Sequence, residues 1–113
     1  MVEIKGTTIT MIKGDSVIIK ISITDSDGNE YTPESGDRIR FAMKRNYTDA
    51  VPLLVIEIPI DTMELVINPE DTKELEAGLS KGRYKYDIEL TKEDGTVDTV
   101  IPRAELVILE EVL

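Results

Sequence analysis

Four oxygen-bearing side chains crowd around one glycine: Asp25, Asp27, Asn29 and Glu30 flank Gly28. Hard cations such as calcium take several oxygen ligands from a sharply turning loop, so this is the first place where chemistry is conceivable. The spacing speaks against an EF-hand-type site, whose glycine stands sixth and whose bidentate acid stands twelfth. Counted from Asp25, Gly28 is fourth and the twelfth residue is Gly36. Asp and Asn also build turns by bonding their own backbone, so a solvated hairpin turn is the better reading and a weak cation site the alternative.

Paired carboxylates come next. Asp87 with Glu89, or Glu110 with Glu111, would suit glycoside hydrolysis only if two acids faced each other across a cleft in different environments. Asp87 and Glu89 instead alternate with Arg83 and Lys85 on one face of an extended segment, which reads as cross-strand charge pairing. Tyr84 and Tyr86 could stack on a sugar or a base, but they share the opposite face with Ile88 and Leu90 and read as core, each hydroxyl reaching the domain's end. The chain has no cysteine, histidine or tryptophan. That removes Cys/His zinc sites, thiol catalysis and any nucleophile relying on a histidine base. No phosphate loop or nucleophile elbow is present either. The expectation is a non-enzymatic protein with no catalytic residue, no cofactor and no metal.

The 113 residues suit one domain, 1–113, able to bury a core without disulfides. With 23 acidic against 13 basic side chains the net charge is −10. Such an excess repels phosphate backbones and anionic lipid, so neither nucleic acid nor membrane is expected as a partner. The start lacks the basic and apolar regions of a secretory signal, and no apolar run approaches a bilayer's span.

The elements that must position these residues follow from hydrophobic alternation. Between Ser16 and Thr24 the residues Val17, Ile19, Ile21 and Ile23 share one face, a half-buried strand. From Asp37, Ile39, Phe41 and Met43 point inward while Arg38, Arg40 and Lys44 make a basic outer stripe. Residues 53–58 are apolar on both faces and bracketed by Pro52 and Pro59, which favours an edge strand with a covered or partner-seeking outer face. Met63, Leu65 and Ile67 form the next inward set.

Asn68-Pro69-Glu70-Asp71 opens a helix: Asn suits the cap, Pro the first turn, and the acids the positive end of the dipole. Gly78 and Gly82 bound it, and about two turns are expected, with Leu75, Ala77 and Leu79 packing. After Gly82 the alternation of Tyr84, Tyr86, Ile88 and Leu90 is unbroken, and Asp94-Gly95 predicts a hairpin into a strand through Ala104, Leu106 and Ile108. Pro102 within that strand marks a bulge or a change of sheet. With a weaker strand at Thr8 to Ile12, the count is about seven strands, an all-β immunoglobulin-like sandwich with one short helix, against a small closed barrel as the competing form.

Several segments in order carry a resemblance: Lys13-Gly14-Asp15-Ser16-Val17, Thr24-Asp25-Ser26-Asp27-Gly28, Ile39 to Lys44, Asn68 to Thr72, and Gly82 to Leu90 with Glu93-Asp94-Gly95. Together, from Lys13 to Ile108, they resemble the immunoglobulin-like domain of tail-associated proteins of phages and prophages of Gram-positive bacteria, similar to the N-terminal domain of upper baseplate proteins. The resemblance implies a structural module that attaches receptor-binding parts to a tail or baseplate. It would act in host adsorption, be made in the bacterial cytoplasm without a signal peptide, and reside in the virion beside other phage structural proteins. Members of that family commonly continue into a longer fibre protein, so a stand-alone accessory protein or one domain of a larger chain is expected. The alternative is an extracellular immunoglobulin-like adhesin or carbohydrate-binding module of a bacterial surface protein. Apolar side chains on outer faces, Leu53, Val55, Val107 and Leu109, are the candidate interaction residues, whether for docking or for a homo-oligomer, with cover by a neighbouring loop or the helix as the equal alternative.

Overall fold

The alternation resolves, in a computed structural model describing residues 2–5, 7–24 and 28–111, into ten strands and one short helix among those residues. In chain order they are β1 (Val2–Lys5), β2 (Thr8–Ile12), β3 (Val17–Lys20), β4 (Ile23–Thr24), β5 (Glu30–Tyr31), β6 (Arg38–Lys44), β7 (Leu54–Ile58) and β8 (Glu64–Ile67). The helix α1 (Pro69–Thr72) and the strands β9 (Arg83–Thr91) and β10 (Val97–Leu109) follow. The protein is mostly β with one short helix. Six strands form a sheet in the order β1-β2-β10-β9-β6-β7, while β3 pairs with β8 and β4 with β5 in two small ladders. Every pairing is antiparallel except β2 with β10, where Ile9 lies beside Leu106 and Met11 beside Ile108. The large sheet ends in β1 and β7 and does not close into a barrel.

One cluster of buried side chains joins these pieces. The large sheet contributes Met11, Ile39, Phe41, Met43, Tyr84, Ile88, Leu106 and Ile108, and the β3–β8 ladder contributes Val17, Ile19, Leu65 and Ile67. Alternation dictates this, because one face of each strand is apolar and needs cover from another layer.

The segment read as one strand from Ser16 to Thr24 is two. β3 pairs with β8 and β4 with β5, with Ile21 and Ser22 between them. Ile21 and Ile23 remain buried on the same side as Val17 and Ile19, and Ile21 N–H donates to the Met63 carbonyl at 2.8 Å. Burial keeps its period of two while the pairing partner changes. The tip of the β4–β5 hairpin, with Asp25 and Asp27, lies outside the described residues, so the cation reading of that loop receives no structural account.

The helix has one turn rather than two. Asn68 N–H donates to the Asp71 carboxylate at 2.8 Å, the reach-back bond that an acid three residues after a cap can make. Past Thr72 the chain is pulled out of the helix by β10: Gly78 N–H donates to the Ile108 carbonyl at 2.8 Å, and Ile108 N–H to that of Gly82 at 2.7 Å. A Cβ at Gly82 would sit 2.0 Å from the Ile108 oxygen, so the approach of the two backbones requires glycine. Leu75 and Ala77 still pack on the core, but Leu79, expected to pack, is exposed. β10 stays in its sheet throughout, and the register shifts between Thr99 and Ile101 and between Ile101 and Ala104, so the bulge alternative holds around Pro102.

Candidate functional site

The register of β6, β7 and β9 sets out their outer face row by row. Lys44 stands opposite Lys85, Ala42 lies between Val55 and Asp87, and Arg40 lies between Glu57 and Glu89. Beyond Lys44 the chain leaves β6 and returns through Val51, Pro52 and Leu53, where Leu53 N–H donates to the Met43 carbonyl at 2.8 Å.

β7 is the last strand of the sheet, and its outer flank is apolar. Val51, Leu53 and Val55 are 74%, 51% and 54% exposed. Open edges template pairing with other chains, and proteins usually blunt them with charge, proline or a bulge. Here Pro52 and Pro59 bracket the strand, and Arg38 grips Glu57 through two bonds of 3.0 and 2.9 Å. That grip holds the Glu57 carboxyl below its ordinary range.

The four candidate interaction residues therefore part company. Leu53 and Val55 are exposed as expected, but Val107 is 5% exposed and Leu109 half-buried. β10 is a central strand, and Val107 is flanked by Thr10 on one neighbour and Arg83 on the other, which shields an outward side chain as an edge cannot. Val107 and Leu109 stand three strands away from β7.

Asp87 and Glu89 lie on the outer face, but Arg83 and Lys85 turn from them to Glu105 of β10, at 2.7 and 2.9 Å. Bonding to Lys85, and then to Arg83, keeps the Glu105 carboxyl below its usual range. Glu110 is exposed beyond the end of β10 and Glu111 follows it. The tyrosines of β9 are core, as their alternation requires. The Tyr86 ring centroid is 5.2 Å from that of Phe41, and its hydroxyl donates to the Thr7 carbonyl. Burial pushes the Tyr86 phenol up to about 12. The Tyr84 hydroxyl donates to the Glu76 carbonyl at 2.8 Å, and the Arg45 guanidinium covers its ring at 4.5 Å while reaching the Glu76 carboxylate at 3.1 Å.

At the other end of the sheet, Tyr31 O–H and Glu34 N–H both donate to one oxygen of Asp37, at 2.6 and 2.9 Å. The Tyr31 bond, then that of Glu34, lowers the Asp37 carboxyl from its ordinary 3.8, and the same bond raises the Tyr31 phenol to about 12. The two bonds to the Asp37 carboxylate tie the β5–β6 connection to itself, which suits a structural role. Among the described residues no group of three or more acids converges to hold a metal, and no helix is long and apolar enough to cross a membrane.

Two features were missed by reading residues one segment at a time. The opposition of Lys44 and Lys85 appears only once register is known, and Tyr47, 46% exposed beside them, stands in a connection with no periodicity to place it. No family model, curated protein or solved structure matches the chain.

Proposed function

We propose that the chain is a non-catalytic structural and interaction module of the tail or baseplate of a phage or prophage, built as an immunoglobulin-like sandwich. The observation that carries this reading is the exposed apolar stripe of Val51, Leu53 and Val55 at the start of β7, the last strand of the sheet. A strand edge flanked by apolar side chains is suited to accept another subunit by strand addition. The ordered motifs from Lys13 to Gly95 supply the virion context, with other phage structural proteins, or a second copy, as partners.

The sandwich reading draws support from topology. The β3–β8 ladder would form one layer and the six-stranded sheet the other, with β7 as the additional edge strand that variable-type domains carry. Tyr84, near the start of the strand after the β8–β9 connection, bonds backward to the Glu76 carbonyl, in the manner of the tyrosine corner of such domains.

Immunogold electron microscopy of particles induced from the bacterium that carries the gene tests the assignment. Label at the tail tip or baseplate is the expected result. Label confined to the bacterial cell wall would replace the virion reading with the surface adhesin.

A further inference from the structure

The groove on the outer face between β6 and β9 has a composition that strand packing alone does not require. Its floor is Ala42, whose small side chain, between Val55 and Asp87, leaves a depression of about 250 Å³. Tyr47 and Pro52 line it together with Lys44, Lys85, Asp87 and Glu89.

Lys44 and Lys85 face each other directly across antiparallel strands, where Cβ atoms lie about 5 Å apart and like charges destabilise the pair. Lys85 is answered by Glu105 at 2.9 Å, and its ammonium stands 6.0 Å from the centre of the Tyr47 ring. Lys44 is half-buried, and among the described residues no carboxylate lies within ion-pairing distance of it.

We infer that this groove binds a monosaccharide unit carrying a carboxylate or a phosphate. The Tyr47 ring offers a flat apolar wall to the C–H face of a sugar ring, the carboxylates of Asp87 and Glu89 accept its hydroxyls, and Lys44 takes the anionic substituent. A volume of 250 Å³ falls just below the roughly 300 Å³ at which pockets for drug-sized ligands begin, which suits one ring. An acidic peptide would bring several carboxylates against Asp87 and Glu89 where the sugar brings one anionic substituent that Lys44 can take, and a neutral sugar would form no charge pair with Lys44. The inference goes beyond the virion assignment and stands whether or not that assignment holds.

Amide chemical-shift titrations of the isotopically labelled chain test it, with glucuronic acid, glucose 6-phosphate, glucose, inorganic phosphate and a glutamate-rich peptide as probes. Both anionic sugars should shift the amides of 42–47 and 85–89 saturably, about tenfold more tightly than glucose and with affinity falling as salt rises. Lys44→Gln and Tyr47→Ala should each weaken them about tenfold, with the remaining spectrum unchanged to show an intact fold. Lys20→Gln, an exposed lysine on β3, should leave binding as it is. Carboxylate and phosphate sugars are separated by which of the two saturates first. Absence of saturation at millimolar sugar, binding that survives Lys44→Gln, phosphate alone binding as tightly as the sugar phosphate, or tighter binding of the peptide would each overturn the inference.

Discussion

Replacing Gly82 by alanine places the new Cβ 2.0 Å from the carbonyl oxygen of Ile108, 2.7 Å from that of Gly78 and 2.8 Å from the Gly78 nitrogen. All three are backbone atoms, so no side chain can swing aside. To reach ordinary contact near 3.4 Å the segments must part by about 1.4 Å. That parting breaks the bonds from Ile108 N–H to Gly82, from Gly82 N–H to Gly78 and from Gly78 N–H to Ile108, now 2.7, 2.9 and 2.8 Å long. At about 1 kcal/mol net for each bond the loss is about 3 kcal/mol. The lower unfolded-state entropy of alanine returns about 0.5 kcal/mol. Urea unfolding of Gly82→Ala should therefore give a stability about 2.5 kcal/mol below wild type, a fall of roughly 10 °C in Tm for a domain of this size. Gly95→Ala is the control: its φ is +94° and nothing lies within 4 Å of a Cβ there. It should cost only the left-handed strain of about 1 kcal/mol. If Gly82→Ala proves no worse than Gly95→Ala, the close approach of the 78–82 segment to β10 is not what shortens the helix.

Four further outcomes are expected. Thr72 is 1% exposed and accepts the Gly14 N–H at 2.9 Å, so Thr72→Val should cost about 1–2 kcal/mol in urea by leaving that donor unpaired. Because the folded Asp37 carboxyl lies below its ordinary 3.8, its ionised form stabilises the fold above that pH, and the contribution is lost as pH falls through the lowered value. The stability gap between wild type and Asp37→Asn should be steady from neutral pH to about 5 and close below about 4, followed by urea midpoints across pH. With a net charge of −10, added monovalent salt should raise Tm up to about 0.15 M, where the Debye length is about 8 Å, and a flat curve would mean that the charges are already compensated locally. Sedimentation at that salt should show a mass that grows with concentration for wild type and stays monomeric for Leu53→Asp with Val55→Asp, and a constant wild-type mass would exclude self-association through β7.

How much of this was legible depends on what alternation reports. β9 could be read in full, because Tyr84, Tyr86, Ile88 and Leu90 keep an unbroken period and Asp94-Gly95 closes the hairpin with Gly95 at φ +94°. Alternation records which face is buried and not which strand is the neighbour. The segment from Ser16 to Thr24 therefore reads as one strand although its two parts serve different ladders. For the same reason Val55 and Val107 looked alike: each faces outward, but one lies on an edge and the other in mid-sheet. The helix is shorter than its start signal suggests because Gly78 and Gly82 do not mark its stop but serve a contact with β10 some thirty residues away in sequence. The pairing of Lys44 with Lys85 needs register, which neither strand specifies alone.

The proposed place of the chain is in a phage tail, as a built-in part. Quantitative mass spectrometry of gradient-purified particles from the bacterium carrying the gene, scanned fraction by fraction, tests it most directly. A tail component should follow the tail proteins through the gradient at a fixed whole-number ratio to them. A chain that leaves the particle fractions and accumulates with the cell wall would contradict it.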